Sequence, residues 1–173
     1  MTLATDPPVS ESQRRAMRAP TEVEKAYIAG IVDGEGCIGA AEVRDKRPGR
    51  GPGVMFTIFV AMTDRQAVDL LQELYGGHVR EKIDARNVGR RPCFCWQGYG
   101  EIGARLIRDV LPYLRIKNQQ ALTYLDARTT FTGGPRKGVQ GSVQPSKADV
   151  AKRFECLRRI QALNQRLIDV ARA

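Results

Sequence analysis

Between Ala26 and Ile38 the chain reads AYIAGIVDGEGCI, with three glycines and two carboxylates in its last nine residues. Upstream, Thr21 followed by Glu22 and Glu24 marks a helix start, with acids where the helix dipole favours them. Val23, Tyr27, Ile28, Ile31 and Val32 fall at helical spacing, so the stretch is expected to be a helix over about 21–35. Gly30 and Gly34 then share one face with Ala29 beside them. A glycine inside a helix costs about 1 kcal/mol relative to alanine. Two of them imply that something approaches the backbone closely, most simply a second helix, whether of this chain or of another copy. Gly36 is expected to end the helix, where a left-handed residue is cheapest for glycine. Glu35 is left at the helix C-terminus, where a carboxylate is disfavoured unless a cation sits beside it.

The rest of the chain repeats a pattern around this helix. Residues 1–20, with Pro7, Pro8 and Pro20, read as a flexible arm carrying a short helical piece near Glu11–Arg18. Cys37–Val43 and Val54–Met62 alternate as strands and make a hairpin whose turn, 44–53, is basic and rich in Gly and Pro. Thr63-Asp64 caps a helix to about Tyr75, stopped by Gly76-Gly77. A second hairpin pairs His78–Asp84 with Cys93–Gln97 across a turn holding Arg86, Arg90 and Arg91. Helices follow over Glu101–Leu114, kinked or cut short at Pro112, and over Gln119–Phe131. A Gly-rich linker spans 131–145, and a last helix, capped by Ser146, covers 146–170. Residues 21–173 are thus expected to form one α+β domain, with a core at 21–130.

The formal net charge of +9 points to a polyanion as partner. Among the four cysteines no CxxC pair occurs, and with His78 the only histidine the spacing argues against a zinc site. Cys93 and Cys95 alternate with Phe94 and Trp96 and read as strand residues. Neither a signal peptide nor an apolar run of membrane-spanning length is present, so a soluble, intracellular, reduced protein with no membrane partner is expected. Two basic-tipped hairpins offer a two-stranded ribbon of the kind that fits a major groove. Glu35 with the last helix carbonyls offers hard oxygen ligands of the kind Mg²⁺ takes. Each feature has a plainer reading, as a solvated turn or an ordinary surface acid. Residues alone therefore stop at a nucleic-acid-binding α+β domain.

The segment Ile28-Ala29-Gly30-Ile31-Val32-Asp33-Gly34-Glu35-Gly36 resembles the signature helix of the LAGLIDADG homing endonucleases, with Glu for Asp at the eighth position. Leu111-Pro112-Tyr113-Leu114-Arg115-Ile116-Lys117-Asn118-Gln119-Gln120-Ala121 is similar to that family's L-P-Y/F-L-x-x-K-x-x-Q-A segment. The resemblance covers about 21–130. It implies an αββαββα core with a four-stranded antiparallel DNA-binding sheet and extra C-terminal helices. It also implies a divalent-metal-dependent, site-specific double-strand DNA endonuclease that takes no small-molecule substrate. A catalytically inactive relative, serving as an RNA maturase or DNA-binding regulator, is the alternative.

Carried over by position, the resemblance makes Glu35 the metal-binding acid, with a carbonyl of Gly34 or Gly36 as a further ligand. It makes Lys117 the basic residue near the scissile phosphate. Two or three Mg²⁺ per dimer active centre are implied, with Mn²⁺ or Ca²⁺ able to substitute for binding. Met62 stands where a Gln often orders water, so Gln66, Arg65 or Thr63 is expected to take that part, Gln66 first. A single signature implies a homodimer on a long, nearly palindromic target, with Ala29, Gly30, Asp33 and Gly34 at the dimer contact. Arg44, Lys46, Arg47, Arg50, Arg80, Lys82, Arg86, Arg90 and Arg91 are the expected DNA contacts.

Overall fold

A computed structural model describes residues 18–44, 51–82, 92–131 and 145–172. Helix α1 (Glu22–Glu35) runs directly into β1 (Gly36–Val43), which is followed by β2 (Gly53–Met62), α2 (Arg65–Tyr75), β3 (His78–Lys82) and β4 (Cys93–Tyr99). Helix α3 (Gly100–Val110), a 3₁₀ turn (Leu111–Tyr113), α4 (Asn118–Arg128) and α5 (Lys147–Arg172) complete the order. The two hairpins join into one antiparallel sheet of order β1-β2-β4-β3. Pro112 lies inside the 3₁₀ turn and α3 stops before it, because proline lacks the N–H that a longer helix needs. Of the described helices, none is long and apolar enough to cross a membrane.

The helix starts follow their local chemistry. Thr21 and Glu24 form a reciprocal capping box on α1. The Asp64 carboxylate accepts from the Gln66 N–H (2.8 Å) at the start of α2, and the Ser146 hydroxyl accepts from the Asp149 N–H (3.0 Å) at the start of α5.

Alternation along β2 separates two faces. Val54, Phe56, Ile58 and Val60 are buried beneath the helices together with Ile28, Val32, Leu71, Trp96, Leu106 and Ile160. Trp96 is fully buried and its indole N–H donates to the Gly76 carbonyl (2.7 Å). Gly98 gives the indole its space, since a Cβ there would lie 2.4 Å from the ring.

Two expectations about the ends of elements change. Gly36 is extended (φ −81°), so it is not glycine for the sake of a left-handed cap. A Cβ there would sit 2.6 Å from the Val32 carbonyl oxygen, and that crowding is what excludes a side chain. Residues 18–20 of the expected arm are tied down at Arg18, which pairs with Glu24 (2.5 Å) and Glu73 (2.9 Å). Residues 1–17 and 132–144, which hold most of the arm and of the linker, lie outside the described residues.

Candidate active site and nucleic-acid interface

The direct junction of α1 with β1 places Glu35 at the edge of the sheet. The Gly36 N–H returns to the Ile31 and Val32 carbonyls, closing the last turn, and Glu35 remains exposed. Lys117 is the cation that the helix end calls for. Its ammonium donates to the Asp33 carbonyl, one of the carbonyls a helix end leaves without an intrahelical partner. The chain holds it there through Asp33. One oxygen of that carboxylate accepts from the Arg115 N–H (2.7 Å) and the Ile116 N–H (3.2 Å), and the other from the Lys117 N–H (2.9 Å). Charged acceptors make the stronger hydrogen bonds, so this fork fixes the loop that carries Lys117.

Lys117 is only 9% exposed. Burial pushes its pKa below the ordinary lysine value, and the nearby carboxylates of Asp33 and Glu35 oppose that shift without cancelling it. A second brace comes from α5. The Asn164 amide donates to the Ile38 carbonyl (3.0 Å), three residues after Glu35. Its oxygen accepts from the nearly buried Gln120 (3.4 Å), three residues after Lys117. The resemblance makes Asp33 structural and not a metal ligand, but the partners of both braces are not legible in the sequence. A lone Asp or Asn carries no local signal of a partner 82 or 126 residues away.

The expected site residues divide by placement. Glu35, Gly34 and Lys117 come together at the end of α1. Met62 is partly buried against the core. Gln66 is exposed on α2 and lines a surface groove with Tyr27, Asp64 and Leu70. Gln66 has no described hydrogen bond to Glu35 or Lys117. Ala29 and Asp33, expected at a contact with a second copy, face into their own chain. Ala29 is fully buried and Asp33 is committed to the 115–117 loop.

Gly30 and Gly34 do lie outward, and a Cβ built on either meets nothing within 4 Å. Tyr27 (54% exposed) and Val23 (79%) extend the same stripe one and two turns upstream. The glycines therefore serve no packing need inside the described chain.

Among the described residues no three of His, Cys, Asp and Glu converge. Glu35 is thus a single carboxylate beside helix-end carbonyls. This donor set fits a hard cation that takes most of its ligands from water and phosphate, as Mg²⁺ does.

The outer face of the sheet carries Arg80 and Lys82 on β3, both exposed, and Arg44 is exposed just past the end of β1. The other expected basic contacts, Lys46, Arg47, Arg50, Arg86, Arg90 and Arg91, lie outside the described residues. The register adds polar positions that a search for arginine and lysine passed over. Thr57 and Gln97 also sit on the outer face, with Tyr99 paired to Thr57. Strand parity could have shown this once the pairing was known.

An antiparallel sheet with helices on one face, and an acid and a buried lysine at its edge, defines an α+β protein whose other face no described helix covers. Solved structures make the class specific. The chain is similar to the homing endonuclease I-CvuI, solved in complex with a DNA target in the presence of Mg (22% identity, 81% of this chain and 96% of that one, TM-score 0.52). It is similar to the homing endonuclease I-TnaI (16%, 88% and 99%, 0.54). It is also similar to the archaeal intron-encoded homing endonuclease I-Vdi141I, complexed with DNA (12%, 83% and 98%, 0.53). No family model matches the sequence, and no curated protein matches it. The fold is that of the LAGLIDADG homing endonucleases, the family whose signature helix α1 resembles.

Proposed function

We propose that this chain is a site-specific, double-strand DNA endonuclease that works as a homodimer with a divalent metal, Mg²⁺ in the first instance. The observation that carries the reading is the end of α1. There Asp33 seats Lys117 beside Glu35, at the end of a helix whose outward stripe holds Gly30 and Gly34. Two copies crossing at Gly30 and Gly34 would bring two Glu35 side chains to a shared axis, one for each strand of a duplex. The implied target is then long and nearly palindromic.

Each Glu35, with the Gly34 or Gly36 carbonyl, would hold the cation, which supplies Lewis-acid activation of water and of the scissile phosphate. Lys117 would donate to the phosphate as charge develops. The sheet's outer face, with Arg80 and Lys82, would lie against the major grooves on either side, with Arg44 just past the end of β1 beside it.

The alternative, an inactive RNA maturase or DNA-binding regulator, draws on Met62 and Gln66. Met62 cannot order water, and Gln66 lines a separate groove.

The test is incubation of the protein, with Mg²⁺ or with EDTA, on DNA joining the two flanks of its own gene. Specific cutting with Mg²⁺ alone supports the enzyme. Binding without cutting supports the alternative.

Two further results are expected. Affinity for DNA falls steeply with salt, with a slope of about −0.9 per phosphate contacted, in a titration from low to physiological ionic strength; a flat response removes nucleic acid as the partner. In kcat/KM, which reports the free enzyme, activity is lost as pH rises through the Lys117 pKa. Burial lowers that pKa, so the alkaline limb falls below the ordinary lysine range. Lys117→Arg, charged throughout, is expected to remove the limb from the pH–rate profile.

A further inference from the structure

On the reading that the sheet's outer face lies in a DNA major groove, the two halves of that face read bases by different chemistry. The registers Cys37↔Phe59, Gly39↔Thr57 and Ala41↔Met55 place these six residues on the outer side of β1 and β2. Their opposite parity, Val54 through Val60, is buried under the helices. None of the six carries a charge or an amide, and Thr57 supplies the single hydroxyl. Across β4 the chemistry changes. Gln97 stands beside Phe59, and Arg80 and Lys82 are exposed on β3 at the far edge.

Bidentate readout of guanine or adenine needs Arg, Lys, Asn or Gln and cytosine takes an acid, whereas a Ser or Thr hydroxyl does not discriminate among bases. The described β1–β2 half has none of the discriminating side chains among these six positions. What it offers is a half-exposed Phe59 and Met55 beside the small residues Gly39 and Ala41, a low surface that base edges can approach. In the major groove the one apolar group a base presents is the C5-methyl of thymine.

We infer that the outer face of β1–β2, centred on Phe59 and Met55, selects thymine by its methyl group, while Arg80 and Lys82 on β3 select guanine. Each half of the target therefore carries a thymine block and a guanine position in fixed order.

Binding selection tests this with the full-length protein, a randomised duplex library and Ca²⁺, so that cutting is not required. The recovered sites are expected to share a run of thymines on one strand of each half. Replacing each of these thymines by deoxyuridine removes only the methyl, and is expected to weaken binding about fourfold per base. Thymines outside the block are expected to be insensitive. Phe59→Asn is expected to abolish the effect at the bases it contacts. If that variant does not fold, the deoxyuridine series on the parent protein still decides the matter. Enriched sites without thymine, or thymines that deoxyuridine replaces at no cost, overturn this inference and leave the DNA reading standing. A library that yields no enriched duplex overturns both.

Discussion

Glu35→Gln is expected to bind its DNA within a few-fold of the parent protein while cleavage falls about 1000-fold or more, several kcal/mol of metal-derived barrier lowering. The two effects separate because of where the residue sits. Glu35 is exposed and no described hydrogen bond uses its carboxylate, so the amide disturbs no packing. The outer face of the sheet, which would carry the binding, is formed by other residues. Losing this carboxylate from each protomer also removes negative charge beside phosphate, so affinity measured in EDTA is not expected to fall. The measurement is a paired one, Kd by gel shift and single-turnover cleavage with Mg²⁺. Cleavage at the parent rate by the Gln variant would show that Glu35 does not hold the metal.

Gly30→Leu is expected to leave each chain folded and to destroy the dimer. Helix propensity favours the change by close to 1 kcal/mol, and no atom of the described chain lies within 4 Å of the new Cβ. A melt followed by circular dichroism should therefore show an unchanged or higher Tm at concentrations where the parent is monomeric, and a lower one where the parent gains stability by dimerising. Between two copies the same leucine meets its twin. Overpacking costs about 1–3 kcal/mol per side, so association weakens roughly 30-fold or more, and cleavage is lost with it. Sedimentation or light scattering reads the first effect and a cleavage assay the second. A parent protein that is monomeric with DNA present, or a leucine variant that still dimerises and cuts, would remove the two-fold arrangement from the proposal. Gly36→Ala is a useful contrast. It offers a methyl 2.6 Å from the Val32 carbonyl oxygen, so the damage falls on the chain's own α1–β1 junction.

These contrasts show how far local sequence reaches. The glycine pattern of α1, its capping box, the caps at Asp64 and Ser146 and the alternation of β2 are short-range signals. Each is governed by groups within about one turn or one strand pair, so each is legible in the residues alone. The placing of Glu35 and Lys117 together is legible too, through two motifs far apart in the chain and their resemblance to one family. The direction in which a residue faces is not. Ala29 and Asp33 sit within the same signature as Gly30 and Gly34, yet both turn inward. Neighbours on a helix lie about 100° apart, and which arc meets the core depends on what packs there. Met62 reads in the sequence as a gap in the site and is part of the core edge. Gln66 reads as its replacement and faces a groove instead.

The sequence by itself determined the order of the described elements and singled out Glu35 and Lys117 as the proposed chemical pair, because capping, periodicity and motif chemistry are local. Only the tertiary structure decided that Asp33 grips the 115–117 loop and seats Lys117 on the helix end. Only it joined β2 to β4, so that one face of the sheet is apolar on β1–β2 and basic on β3. Such pairings depend on loop closure and shared burial across the whole chain, and no window of the sequence carries that information.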